Sequence, residues 1–110
     1  MGDAFQDLEK GFERKFELDE EQKFKVGARR DKLFGLWIAK KLGHTGPAAE
    51  QYAADVVNSN FAKPGDEDML DKVRADLKAM GVVIEDRELR RQLNTAANDA
   101  AEAIVAAAKG

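Results

Sequence analysis

His44 is the only histidine of this 110-residue chain, Ser59 is its only serine, and cysteine is absent. These residues set the limit on covalent and metal chemistry. With no thiolate and no second imidazole, His44 is a poor metal ligand, and its place between Gly43 and Thr45 reads as an ordinary turn. Ser59 has no histidine near it in sequence to activate it. Asp66, Glu67 and Asp68 have the charge to attract a cation, but an apolar helical stripe follows them directly, so they are expected to cap a helix. Gly43-His44-Thr45-Gly46 is too short for a phosphate-cradling loop and lacks its lysine. No metal site, cofactor site or catalytic residue emerges, and the sequence reads as a binding protein, not an enzyme.

The residues left with chemistry to do are charged. The net charge of −3 is segregated along the chain. Residues 1–21 hold eight acids and three bases, residues 22–42 hold seven bases and one acid, and residues 43–110 hold twelve acids and eight bases. Lys25, Arg29, Arg30 and Lys32, followed by Lys40 and Lys41, crowd one segment with positive charge. Two readings stay open for them: pairing with the acidic segments of the same chain, or recognition of an anionic partner or nucleotide. A nucleic-acid ligand is the less favoured form of the second reading.

The elements that must position these residues are helical. Alanine, lysine, glutamate, leucine and aspartate dominate, β-branched residues are few, and only two prolines occur, a composition that favours helix. The first helix carries Phe24, Val26, Leu33, Phe34, Leu36, Trp37, Ile38 and Leu42 over a wide arc and stops at Gly43. The second starts near Pro47 and repeats Ala49, Tyr52, Ala53, Val56, Val57 and Phe61 on one stripe. Pro64-Gly65 breaks the chain. The third helix carries Leu70, Val73, Leu77 and Met80 and closes at Gly81. Val82 and Ile84 are expected to tuck beneath the next turn. The fourth runs from about Glu85 with Leu89, Leu93, Ala96, Ala97, Ala100 and Ile104. Short linkers between such helices predict an all-α, antiparallel four-helix bundle over residues 21–110.

The first twenty residues follow a different pattern. Phe5, Leu8, Phe12 and Phe16 fall within about 80° of a helical wheel at 100° per residue. The next positions on that stripe, Asp19 and Lys23, are charged, so the stripe ends before the bundle begins. Residues 1–20 are therefore expected to form a separate N-terminal arm, disordered or frayed when free, because an isolated helix of this length is marginal in water. No apolar run is long enough for a membrane span or a signal-peptide core. The chain reads as cytoplasmic, without direct membrane insertion.

The run Phe24-Lys25-x-x-Ala28-Arg29-Arg30-x-x-Leu33-x-Gly35-x-Trp37-x-Ala39-x-Lys41-Leu42-Gly43 resembles the zeta-type inhibitor subunit of alphaproteobacterial F-type ATP synthases. Tyr52-Ala53 with Val56-Val57, Gly65-Asp66-Glu67-Asp68 with Lys72-Val73 and Asp76-Leu77, and Gly81-Val82 extend the resemblance over nearly the whole chain. Upstream, Phe5, Glu9, Glu13, Lys15, Phe16, Asp19 and Glu21 fall where that family has similar residues, whereas Leu8, Phe12 and Glu85 depart from its pattern. The resemblance implies a regulatory subunit, peripheral to the inner membrane through ATP synthase. Its bundle would stay outside the catalytic head. Its arm would become helical and wedge among the alpha, beta and gamma subunits, blocking ATP hydrolysis and reverse rotation. On this sequence the inhibitory contacts would be Phe5, Leu8, Glu9, Phe12, Glu13, Lys15 and Phe16. A weak nucleotide site in the bundle is compatible with the basic first helix, but the sequence does not place one. The alternative, independent of the resemblance, is a small helical module that recognises an anionic partner through that helix.

Overall fold

The computed structural model describes residues 18–62 and 65–109. They form four helices: α1 (Glu20–Lys41), α2 (Gly46–Ala62), α3 (Glu67–Ala79) and α4 (Asp86–Lys109). Among the described residues there is no strand, and the architecture is the expected all-α bundle.

Local chemistry sets the helix ends. Asp19 caps α1 through a reciprocal box. Its carboxylate accepts from the Gln22 backbone N–H at 2.7 Å, and the Gln22 side chain accepts from the Asp19 N–H at 3.1 Å. This satisfies donors that a helix start otherwise leaves unpaired. Beyond α1, Gly43 takes φ +86°. The His44 N–H reaches the Ala39 carbonyl at 2.9 Å and the Gly43 N–H reaches that of Lys40 at 3.1 Å, the paired bonds of a Schellman stop. Gly81 repeats the device after α3 at φ +69°, with Val82 bonded to Leu77 and Gly81 to Lys78. The Glu85 carbonyl accepts from Glu88 and Leu89, opening α4.

Helix α1 is the shared partner: it packs against both α2 and α4, while α3 packs on α2. Phe34, Ile38 and Leu42 of α1 meet Tyr52 and Val56 of α2, Leu70 and Val73 of α3, and Leu89 and Leu93 of α4 in one core. Trp37, Val82 and Ile84 lie half-buried at its margin. A second, smaller cluster joins Leu18 and Val26 to Ala100 and Ala101 along the α1–α4 seam. Across the bundle surface, Arg74 of α3 grips Asp86 in the first turn of α4 with two bonds of 2.8 and 3.1 Å.

Three residues assigned to apolar stripes are not core residues. Phe24 is 62% exposed, Phe61 55% and Met80 60%. Phe24 and Phe61 pack on each other with tilted rings, 5.4 Å between centroids, near the start of α1 and the end of α2 and outside the main core. Met80 is the C-cap residue of α3, past the helix's last regular turn.

The close approach of α1 and α2 depends on Gly35. A Cβ at this position would stand 2.8 Å from the Ala53 Cα and 3.2 Å from the Val56 Cβ. Since the nearest atom is backbone, the two helices must separate to admit a methyl group. Gly35→Ala is therefore expected to destabilise the bundle by about 1–3 kcal/mol through overpacking, although alanine favours helix by about 1 kcal/mol. A Cβ at Gly27, on the same helix, would meet nothing within 4 Å. Gly27→Ala is expected to stabilise. Urea denaturation of the two variants separates packing from propensity.

Candidate functional site

The arm residues Phe5, Leu8, Glu9, Phe12, Glu13, Lys15 and Phe16 lie outside the described residues. The other sequence candidates all sit on α1, and the helix divides them. Positions 25, 29, 32, 36 and 40 share one face within about 80° of arc at 100° per residue. Lys25, Arg29, Lys32 and Lys40 are exposed there, with Leu36 half-buried between them. Lys25 lies 3.3 Å from Glu21 and Lys32 3.8 Å from Glu50, both loose pairs between exposed side chains. Among the described residues, Arg29 and Lys40 have no acidic partner. Arg74, Arg90 and Arg91 of α3 and α4, by contrast, are each engaged by carboxylates of the bundle.

Arg30 does not belong to this exposed set. It falls on the inward row Val26, Arg30, Phe34, Ile38 and is only 2% exposed. Its guanidinium holds Asp66 in a two-pronged grip, Nη2 to Oδ1 at 2.7 Å and Nη1 to Oδ2 at 3.3 Å. Its Nε donates to Asp31 at 2.9 Å. Asn60, near the end of α2, donates to Asp31 at 2.7 Å and to Asp66 at 3.2 Å. One buried cluster thus ties α1, α2 and the start of α3 together. Asp66 consequently departs from the capping role expected of it. It stands at the N-cap position of α3 but makes no side-chain cap bond, because its carboxylate is turned inward onto Arg30.

Two carboxylates around one guanidinium leave the cluster with excess negative charge. Burial pushes the Asp31 carboxyl up from its ordinary value, against the attraction of Arg30 and the hydrogen bond from Asn60. Burial alone lowers the affinity of Arg30 for its proton, but Asp31 and Asp66 outweigh it and the net direction is up. A raised folded-state pKa means that the stability tied to Asp31 is fully present below its unfolded value and declines as pH rises through the folded one. Asp31→Asn is neutral at every pH. Its melting temperature relative to the native chain is expected to be more favourable at about pH 7 than near pH 4, close to the unfolded carboxyl value.

The other chemistry-bearing side chains are occupied structurally. The Ser59 hydroxyl donates to the Val56 carbonyl at 2.8 Å. His44 packs its ring on Tyr52 at 5.8 Å. Tyr52 donates to Asp76 at 2.8 Å, and burial together with that bond pushes its phenol up from its ordinary value. The Lys41 ammonium sits 5.2 Å above the Trp37 ring, beside an open surface groove lined also by Val83, Arg87 and Arg91. No group of three or more potential metal-ligating side chains occurs among the described residues.

Exposed cations occur on the face of α1 and around the groove beside Trp37, and comparison with known families supplies the context for them. The family model described as ATPase inhibitor subunit zeta matches residues 1–103. The chain belongs to the zeta family of ATPase inhibitor subunits. No curated protein matches it. The zeta match takes in the N-terminal segment together with nearly all of the four helices. It identifies a regulatory, non-catalytic family and the ATPase complex as the binding partner. Among the described residues, no helix is long and apolar enough to cross a membrane.

Proposed function

We propose that this zeta-family chain inhibits an F-type ATP synthase by inserting its N-terminal arm, within Asp3 to Glu20, among the alpha, beta and gamma subunits of the catalytic head. The arm, once helical, presents Phe5, Leu8, Phe12 and Phe16 as an apolar wedge, with Glu9, Glu13 and Lys15 forming ion pairs at its edge. Hydrolysis and reverse rotation are blocked while the bundle remains outside, on the cytoplasmic side of the inner membrane. The observation that carries this reading is the family match, which runs through an amphipathic segment and continues into the bundle.

The physics favours an inhibitor in two parts. Ordering the arm costs about 1–2 kcal/mol per residue in backbone entropy. Burial of four apolar side chains returns about 1.5–3 kcal/mol each, which does not cover fifteen residues. Helical hydrogen bonds and tethering by the bundle make up the difference, the tether by raising the arm's effective concentration to about millimolar.

The test is an ATPase assay on the purified synthase head with three additions: the whole chain, the chain lacking residues 1–17, and a peptide of residues 1–20. The whole chain should inhibit, the truncated chain should not, and the peptide should inhibit more weakly than the whole chain. Inhibition by the truncated chain would refute the arm as the inhibitory element. Equal potency of the peptide would refute the tether.

A further inference from the structure

A tethered inhibitor needs a place of attachment, and one side of the bundle has the make-up of an interface. We propose that the side shared by α1 and α2 docks on an acidic surface of the ATPase complex, with Phe24 and Phe61 as its apolar anchor and Lys25, Arg29 and Lys32 beside them. The docking requires the ATPase complex as partner, whichever part of the chain inhibits.

The apolar anchor is the aromatic pair. Phe24 and Phe61 remain more than half exposed although their rings pack on each other. Phe61 also continues a row of α2. Glu50, Ala54, Val57 and Phe61 fall within about 60° of arc at 100° per residue. Glu50, Ala54, Val57 and Asn58 line an open furrow of about 330 Å³ whose opposite bank is Lys32 of α1. The bundle thus offers two exposed rings, a shallow furrow with half-buried Val57, and a bank of cations. Aromatic anchors with arginine nearby are the composition enriched where protein interfaces bind most strongly.

Charge selects the partner's surface. Among the described residues, Lys25 and Lys32 meet only Glu21 and Glu50, at 3.3 and 3.8 Å, and Arg29 meets no carboxylate. Loose pairs between exposed side chains hold little energy, so a partner's carboxylates can replace them. The chain is acidic overall, at −3. An acidic surface therefore attracts it through this face and repels most others, which fixes the orientation of approach.

The position also fits. The chain enters α1 through buried Leu18 and the capping residue Asp19. Phe24 lies about 8 Å further along the axis, at 1.5 Å per residue. An arm inserted in the catalytic head brings this end of the bundle against the complex and leaves the link from α3 to α4 at the far end of α1, beside Trp37 and Lys41. This orientation rests on the inhibitory arm proposed above; the charges and the exposed rings do not.

The test is binding of full-length chains to the purified ATPase complex by biolayer interferometry, with circular dichroism to check that each chain is folded. Arg29→Glu/Lys32→Glu should weaken binding at least about tenfold near 50 mM salt and much less near 0.5 M, where exposed charges are screened. Phe24→Ser/Phe61→Ser should weaken it about tenfold or more at both salt concentrations, because apolar burial is not screened in this way. Lys78→Glu/Met80→Ser, a matched change of exposed residues on α3, should bind like the native chain. Native-like binding by either of the first two variants, or an equal loss in the α3 variant, would overturn the proposal. So would a free chain that is dimeric in sedimentation and made monomeric by Phe24→Ser/Phe61→Ser, since a second copy would then cover the face. All chains compared retain residues 1–17, so a failure here is separate from a failure of the arm as inhibitor. Absence of binding by the native chain would instead remove the ATPase complex as partner, and this docking surface with it.

Discussion

Replacing Arg30 with methionine is expected to cost about 3–5 kcal/mol of stability, because it removes one partner of a buried charge cluster and leaves the others uncompensated. Asp66 is 1% exposed and Asp31 5%; without the guanidinium, each must keep a charge away from water or take up a proton. Small domains have only about 5–15 kcal/mol in hand. A loss of this size lowers the melting temperature by more than about 10 °C, at roughly 4–8 °C per kcal/mol for a domain of this size. The cost should fall mainly on the junction of α1 with the start of α3, where Asp66 has no capping bond to fall back on. The Arg30→Met/Asp66→Leu chain, which removes the two-pronged pair as a unit, should recover part of the loss. Thermal melts of both chains and the native protein provide the check, and a native-like melt of Arg30→Met alone would contradict the buried cluster.

That cluster also shows where sequence reasoning stopped. The helices themselves were legible because their punctuation is local: Gly43 and Gly81 close Schellman bonds within six residues, and the apolar periodicity of Leu89, Leu93, Ala96 and Ala97 needs no knowledge of the neighbouring helix. Two further signals were equally local. The Asp19-x-x-Gln22 spacing announces a capping box, and Arg30 stands four residues from both Val26 and Phe34, on the row that faces inward. Grouping Arg30 with Arg29 by charge alone obscured the 100° that separates consecutive residues on a helix. Asp66 is a different case. The rule that places an acid before a helix is sound, but its partner lies thirty-six residues upstream, and a bidentate bond to a buried guanidinium outweighs a cap. Phe24 and Phe61 mark the opposite limit. Periodicity identifies the face on which a side chain lies but not whether a neighbour extends far enough along the axis to cover it.

For the arm, the largest effect is expected at Phe16. Within the proposed wedge it is the apolar residue nearest the bundle, so the tether holds it most closely in place, and its burial against the ATPase is worth about 1.5–3 kcal/mol. Phe16→Ala should therefore raise the half-inhibiting concentration by roughly 10- to 150-fold, at 1.4 kcal/mol per factor of ten. The bundle core is built from residues of α1 to α4 together with Leu18, so the melting temperature of this variant at moderate salt should match that of the native chain. The two readouts isolate the arm from the scaffold. Weaker inhibition with an unchanged melt is the signature of a side chain whose partner lies on the ATPase. A lowered melt with unchanged inhibition would mean that Phe16 belongs to the bundle core and that the wedge ends further toward the N-terminus. Asp19 gives a physical reason to expect the first outcome. Its capping box starts α1 from the helix's own residues, so apart from Leu18 in the α1–α4 seam helix initiation there does not call on the preceding segment, and the proposed wedge leaves Phe16 to a partner.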